Sequence, residues 1–490
     1  MAKRVAVIDI GSNSIRMAVY ERTSRFAFHL IHEEKSRVRI SENAYKYKGN
    51  LQALPMQRTF DALHNFLQIT QSFKTRKLLC VATSALRDAP NAKEFLKKVQ
   101  SKLGCSIKII SGEKEAYLGA IACANLLPQQ TDALSIDIGG GSTEFSSIHN
   151  GNVTGTLSLD LGTVRLKELY FDSNNIKGAI KYIDKELEKL PIKTYTTLIG
   201  IGGTFRALSG AIMKRESYQL KKIHAYTYSC DTLSKFIDEI LASKTNSELQ
   251  ALYIKSNRYD VIRPGTLILQ CLLKKIIFTK IVTSGVGVRE GLFLADLLRN
   301  SQHKFPHNYN SCVKYLLDSQ LSDTTFSSQL NTLSKKLFDL SAQYLNIDEK
   351  YRYELALAAK LYPTGSNTHF FSQNKQTYYL IQNALEYGFT HESNTLIATV
   401  CKYANNRPAS NRHLQKYSDL LPQERTTQTL IYLLSLSLIL LSHRPKNIDF
   451  SLSFKGNSLK ISSKQNLYLA KEKLKKLEPL ERKIKIIFDF

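Results

Sequence analysis

Seven cysteines stand in 490 residues, at positions 80, 105, 123, 230, 271, 312 and 401, and no two of them form a C-x-x-C pair. A scattered, odd-numbered set argues against a disulfide framework or a zinc knuckle and fits a reducing cytosol. No long Pro, Gly, Ser or Gln tract interrupts the chain and aromatic residues supply 10% of it, so disorder is not expected. Long apolar runs are missing as well. The strongest membrane candidate, LIYLLSLSLILL from Leu430 to Leu441, falls well short of the roughly 20 residues needed to span a bilayer and predicts a buried core helix. The start, MAKRVAVIDIGSNS, reaches Asp9 without an apolar stretch long enough for a secretory signal, which places the protein in the cytoplasm with no membrane partner. Acidic residues are few: 42 Asp and Glu face 68 Lys and Arg, a formal charge of +26. Such an excess favours a polyanionic partner, and composition leaves nucleic acid, a phosphate chain and a membrane surface open.

A chain of this length exceeds one compact core, so two or three domains are expected. Its internal repeat says how they arise. VAVIDIGSNS and ALSIDIGGGST each read as an apolar run, then Asp-Ile-Gly, then small polar residues, and their aspartates, Asp9 and Asp137, lie 128 residues apart. That offset is the length of a domain, so a duplicated domain contributes one loop from each copy. Around each loop the pattern is extended (Val5 to Ile8 and Ile15 to Tyr20; Leu134 to Ile136 and Thr143 to Ile148), which predicts a β-hairpin and not the strand-to-helix turn of a P-loop. Helices are expected over 93–103 and 113–127, with a short strand over 107–110 between them. A third glycine loop, GIGGT at 200–204, follows a strand over 197–201. A fourth, SGVGVREG at 284–291, opens an apolar helix through Leu298. Beyond Asn300 a linker-like stretch leads into Leu-, Lys- and Tyr-rich helical spacing, with a terminal β-ribbon at 451–459 and 483–488.

Glycines and small hydroxyl residues leave backbone N–H groups unobstructed, and consecutive N–H groups in a turn form a concave seat for phosphate oxygens. One Gly-Ser turn is usually only a hairpin; two equivalent turns can close on one phosphate chain. Carboxylates are the natural Mg²⁺ ligands when phosphate supplies the remaining oxygens. Asp137 and Glu144 sit seven apart across one turn, and Asp9 approaches from the other, although aspartates at such places also hydrogen-bond their own turns. Glu113 and Glu115 begin a helix, where the dipole alone favours acid. Arg87, after a strand over 78–82, is placed to clamp phosphate bidentately or to stand as a solvated charge. No H-E-x-x-H spacing and no nucleophile elbow is present, so metal-assisted attack by water is the most economical chemistry.

Seven motifs in order, VIDIGSNSIRM, CVATSALRDAPN, IISGEKEA, SIDIGGGSTEF, LDLGTVRL, IGGTFRAL and VTSGVGVREG, make the first 300 residues resemble the Ppx/GppA phosphatase family, the exopolyphosphatases and guanosine pentaphosphate phosphohydrolases of the actin-like ATPase superfamily. The resemblance implies an α/β fold: two duplicated actin-like, ribonuclease H-like domains (1–126 and 127–300), then a mainly helical, degenerate HD-like domain (301–490). It implies Glu115 as the catalytic base and Asp137 and Glu144 as holders of Mg²⁺ that also place the water, with Asp9 beside them. The loops Gly11, Ser12, Asn13, Ser14 and Gly139, Gly140, Gly141, Ser142, Thr143, with Arg87, would grip the terminal phosphates, and Gly202, Gly203 and Thr204 match a nucleotide-binding loop. Inorganic polyphosphate and guanosine pentaphosphate are the implied substrates and a homodimer the implied assembly; nucleic acid is not an expected partner. A kinase of the same superfamily or a non-catalytic polyanion-binding protein are the competing readings. Where longer family members carry a His-Asp pair, this chain reads LAAKLYPTGSN, so Tyr362 and Pro363 exclude a second metal site there. That region is then scaffold, dimer interface or polyphosphate track, with Lys471 to Lys476 either part of the track or a solvated helix face.

Overall fold

A computed structural model describes residues 3–191, 194–405 and 407–489. The chain forms two compact units, dividing between Tyr309 and Asn310.

The first unit is built on two sheets of matching order. Strands β1 (Lys3–Ile10), β2 (Ile15–Arg22), β3 (Phe28–Ser36), β4 (Lys77–Ala82) and β5 (Lys108–Ile109) make a sheet ordered β3-β2-β1-β4-β5. Strands β6 (Asp132–Ile138), β7 (Thr143–His149), β8 (Asn152–Leu159), β9 (Thr197–Ile201), β10 (Thr227–Ser229) and β11 (Lys280–Thr283) make the second, ordered β10-β11-β9-β6-β7-β8. In both, an antiparallel three-strand meander is followed by parallel neighbours; the second sheet adds β10 antiparallel at its edge. The duplication expected from the repeated Asp-Ile-Gly motif is therefore present strand for strand. Alternation sets the register: Ala6, Ile8 and Ile10 enter one core while Val5 and Val7 are buried on the opposite face, and Leu134, Ile136 and Ile138 do the same in the second sheet with Ala133 opposite.

The two sheets are joined by the helix Gly112–Leu126, which Ser111 caps by accepting the Lys114 N–H at 3.2 Å. Beyond its first turn this helix is nearly all Ala, Gly, Leu, Ile and Cys, and it packs against β7, β8 and the helix Val288–Leu297. Gly291 permits that packing, since a Cβ there would stand 1.9 Å from the Leu118 carbonyl oxygen. The sequence reading of 200–204 as a loop is corrected. Ile201 ends β9 and Gly202 is already the first residue of the helix Gly202–Arg215, so strand passes to helix with no loop between.

In the second unit helices surround Glu424–Leu440, whose Leu430, Leu433, Leu434, Leu436 and Leu440 are fully buried. Its serines are satisfied internally: Ser435 and Ser437 donate to Ile431 and Leu433 carbonyls at 2.7 and 2.9 Å, and Ser334 donates to Ser437 Oγ at 2.8 Å. This is the core helix predicted from the apolar run, and among the described residues no helix is long and apolar enough to cross a membrane. Tyr362, in the short helical turn Tyr362–Asn367, is buried and donates to Asn374 Oδ1 at 3.0 Å, while Asn374 donates to the carbonyls of Cys401 and Ala404. A structural hydrogen-bond network thus engages this turn. The terminal ribbon differs from its expectation. The stretch read as one strand breaks at Gly456, giving the hairpin β12 (Phe450–Lys455) and β13 (Ser458–Ser463), and β14 (Lys485–Asp489) adds parallel to β13. All seven cysteines are free thiols.

Candidate active site

Between the two sheets of the first unit lies a cleft of about 140 Å³ lined by both hairpin turns and by the N-terminal ends of two helices. The turns are built alike. Gly11 N–H donates to Ser14 O at 3.2 Å, and Gly139 N–H donates to Ser142 O at 2.9 Å. Among the described residues no acceptor takes the N–H of Ser12, Asn13 or Gly140, which line the cleft, so each turn offers open donors to it. Ser12 Oγ and Ser84 Oγ share a hydrogen bond at 3.1 Å, which ties the first turn to the end of β4.

Four carboxylates gather around these turns, Glu115 and Glu144 buried and Asp9 and Asp137 half-buried. Glu113 faces solvent while Glu115, two residues on, is buried, so helix phase separates a residue favoured by the dipole from one held in the cleft wall. Arg87 Nη1 donates to Glu115 Oε2 at 3.1 Å and to the Ile110 carbonyl at 3.2 Å. Burial and the neighbouring Glu144 hold the Glu115 carboxyl well above the usual carboxylate range despite that partner. Glu144 lies directly across the hairpin from Asp137. Its Oε1 accepts from Ser142 Oγ at 2.6 Å and Ser158 Oγ at 3.0 Å, yet burial, with Asp137 adding to it, pushes this carboxyl up to about 8. Asp9 lies across its own hairpin from Arg16, and burial lifts it to about 6 against the pull of Arg16 and Arg289. Its Oδ1 is buried with no hydrogen-bond partner among the described residues. Asp137 is raised by burial and restrained by Arg206 and Arg16.

An unpartnered buried carboxylate oxygen is what a cation site leaves behind, and the residues present fit Mg²⁺ in the manner that ion prefers, one or two carboxylates with substrate phosphate and water completing the shell. They are not a preformed cage: among the described residues no three His, Cys, Asp or Glu side chains converge as a metal set.

Not every expected residue lines the cleft. Asp9, Gly11, Ser12, Asn13, Ser14, Glu115, Asp137, Gly139, Gly140, Ser142, Gly202, Gly203 and Thr204 do. Gly141, Thr143, Glu144 and Arg87 stand behind it. The Thr143 hydroxyl is taken by the Leu161 carbonyl, and the Arg87 guanidinium by Glu115 and Asp88. Gly202 is the tightest point. It has φ +84°, and a Cβ would lie 2.2 Å from Asp137 Oδ1. Gly202→Ala is therefore expected to cost roughly 1–3 kcal/mol from backbone strain alone and to displace Asp137. Gly210→Ala, later in the same helix with only Ile223 Cδ1 at 3.6 Å, is expected to be neutral or stabilising; thermal melts of the two variants check both.

Composition and motif reading missed the cations. Arg16, Lys35, Arg206 and Arg258 line the cleft, and none makes an ion pair among the described residues. Burial together with Arg16, Arg258, Arg206 and Arg37 brings Lys35 down to about 8, and burial together with Arg16 brings Arg206 and Arg258 down to about 10. Arg16 and Arg206 sit within the motifs VIDIGSNSIRM and IGGTFRAL, so their place beside a phosphate turn was a usable signal. Lys35 and Arg258 carry none, because the fold alone brings them there. Glu290 is buried near this group as a counter-charge already spent. Burial works against its ionisation, but Arg289, Tyr20 Oη at 2.8 Å and Gly287 N–H at 2.8 Å hold it below the usual carboxylate range.

Known proteins match the chain in both its units. The family model described as the Ppx/GppA phosphatase family matches residues 18–300, and the one described as Ppx/GppA phosphatase, domain III, matches 311–483. A bifunctional 3-dehydroquinate synthase/phosphatase of Fusobacterium nucleatum subsp. nucleatum is 33% identical over 291 residues, covering 55% of this chain and 43% of the relative, so the chain spans less than half of that relative's length. The Ppx/GppA family member of Aquifex aeolicus is 27% identical with a TM-score of 0.54, covering 61% of this chain and 99% of that structure. An exopolyphosphatase of Cytophaga hutchinsonii, 22% identical with a TM-score of 0.57 over 62% of this chain and all of that structure, shares the fold.

Proposed function

As the chain belongs to the Ppx/GppA phosphatase family, with that family's actin-like fold, we propose that it removes terminal orthophosphate from inorganic polyphosphate, and that the same site serves for the terminal 5′ phosphate of guanosine pentaphosphate. One observation carries the reading. Two matched turns with open N–H donors face each other across a cleft whose wall holds a buried, Arg-aligned carboxylate, Glu115. Turns of this kind suit terminal phosphate oxygens, and a basic group next to them suits activation of water more than covalent attack.

In this reading the turns Gly11–Ser14 and Gly139–Ser142 bind the terminal phosphate, and Glu115 accepts the proton of the attacking water. The new bond forms between the water oxygen and the terminal phosphorus. The anhydride bond to the next phosphate breaks, and the shortened chain leaves as the anion. The unpaired Arg16, Lys35, Arg206 and Arg258 hold the phosphates that follow. Asp9, Asp137 and Glu144 would hold Mg²⁺, which supplies neutralisation of the phosphate charge.

Purified protein is expected to release orthophosphate from long-chain polyphosphate and from guanosine pentaphosphate, compared at matched concentration of chain ends, with Mg²⁺ and not with a chelator. The ratio of the two rates names the preferred substrate. Absence of release from both in the presence of Mg²⁺ overturns the reading.

A further inference from the structure

Nothing in the proposed chemistry uses Arg165, yet its guanidinium holds partners in both halves of the first unit. Its Nε donates to the Gly141 carbonyl at 2.9 Å, in the second phosphate turn. Nη2 donates to Asp160 Oδ1 at 3.0 Å and to Asp88 Oδ2 at 3.2 Å, and the guanidinium lies 4.9 Å from the centre of the Tyr45 ring. Asp88 and Tyr45 belong to the first sheet's half of the unit; Gly141 and Arg165 belong to the second. Around Arg165 the same short helical stretch holds both halves. The Thr163 and Val164 N–H groups donate to the carbonyls of Gly139 and Gly140 at 3.0 and 2.8 Å, and Glu168 accepts the Asn43 and Tyr45 N–H groups at 2.7 and 3.2 Å.

Followed in the other direction, the connection reaches the base. Asp88 Oδ1 pairs with Arg87 Nε at 3.4 Å, and Arg87 Nη1 pairs with Glu115 Oε2 at 3.1 Å. The series Gly141–Arg165–Asp88–Arg87–Glu115 runs from the phosphate turn of one half to the water-activating carboxylate of the other. The Arg165 side chain is only 14% exposed, whereas Asp88 and Asp160 are 34% and 60% exposed, so the guanidinium is held mainly by its Gly141 and Tyr45 contacts and by geometry.

We propose that Arg165 is a positioning residue, a latch that sets the Glu115 carboxylate only when the two halves are closed on the phosphate turns. Its catalytic consequence rests on the hydrolase reading above; its structural consequence does not. An open cleft leaves Arg165 without Asp88 and Tyr45, leaves Asp88 with Arg87 alone, and takes from Arg87 its contact with Ser142 Oγ of the second turn at 3.5 Å. A closed cleft with phosphate on Gly139–Ser142 completes the series, so occupancy of one wall is transmitted to the base on the other.

The test combines kinetics with hydrogen exchange on the full chain. Arg165→Ala is expected to lower kcat at least tenfold with KM changed less than threefold, because the variant loses alignment and keeps the phosphate donors. Arg165→Lys is expected to recover only part, since a lysine cannot serve Gly141 and Asp88 together. Asp88→Asn tests the same link from the other half. In a double-mutant cycle the Arg165→Ala, Asp88→Asn protein should be no slower than the slower single variant. In the substrate-free protein, amides of residues 43–49 should exchange at least tenfold faster in Arg165→Ala. Losses that multiply independently, a rise in KM in place of a fall in kcat, or unchanged exchange would each sink the proposal. The exchange arm answers even if the wild type releases no phosphate, and Asp88→Asn answers if Arg165→Ala does not fold.

Discussion

Glu115→Gln is expected to lower phosphate release by about a thousandfold, within the 10²–10⁴ range that a positioned general base supplies, while the variant still binds polyphosphate. Glutamine keeps the shape that packs in the first turn of the Gly112–Leu126 helix and removes the charge that takes the proton. It also releases Arg87 Nη1 from its ion pair with Glu115, while Nε keeps Asp88. One charge fewer opposite the guanidinium adds attraction for the substrate, so binding should be equal to or tighter than wild type. The contrast between lost turnover and kept affinity separates a base from a substrate clamp. Glu113→Gln, two residues away on the solvent side of the helix, should leave turnover unchanged. Binding is read by filter retention or calorimetry, turnover by orthophosphate release. If Glu115→Gln retains more than a tenth of wild-type turnover, the proton goes elsewhere.

This prediction depends on a distinction that composition did not make. By residue pattern Glu113 and Glu115 were equal candidates, both explicable by the helix dipole; the family resemblance singled out Glu115, and helix phase with Arg87 opposite gives a physical reason for the difference. The paired hairpin turns were legible because they occur twice: Asp9 and Asp137 mark the same turn at the same place in each sheet, and a repeat is visible without coordinates. Strand and helix positions followed from alternation and from small-residue punctuation, and the buried helix at 424–440 from its apolar run. The junction at Gly202 was misread as a loop. Glycine is the same signal for a turn as for a close approach, and here it marks a helix start pressed against Asp137. Gly456 shows the reverse, a glycine that does turn the chain inside what looked like one strand. Lys35, Arg258 and the links through Arg165 come from separate loops and strand ends. Their meeting is a product of topology, which no local pattern encodes.

Glu144→Gln should make the metal-free protein more stable at pH 8 while abolishing most of its activity. The sign follows from the direction of the shift. An ordinary glutamate in the unfolded chain ionises near pH 4.3, whereas burial and Asp137 keep the folded Glu144 protonated up to about pH 8. Below the unfolded value both states hold the proton and nothing is lost. Between the two values the native state binds a proton that the unfolded chain has released, so stability falls as pH rises, by up to about 1.4 kcal/mol per pH unit for one such group. Above about pH 8 both states are ionised and the loss is complete. Asp9, held at about 6, adds to the fall in the lower half of that window. In chelator, the melting temperature of the wild type should drop by several degrees between pH 5 and pH 8. Added Mg²⁺ should restore it at pH 8 and much less at pH 5, because the cation competes with protons for the same oxygens. Glutamine removes the charge that must be desolvated and keeps acceptance from Ser142 and Ser158 through its carbonyl oxygen. The pH slope should flatten, the Mg²⁺ response should shrink, and phosphate release should fall at least a hundredfold. Buried carboxylates that weaken the fold are retained where they are used, and this variant measures that exchange directly. A slope and a Mg²⁺ response identical to wild type would place the titrating group elsewhere and remove Glu144 from the cation site.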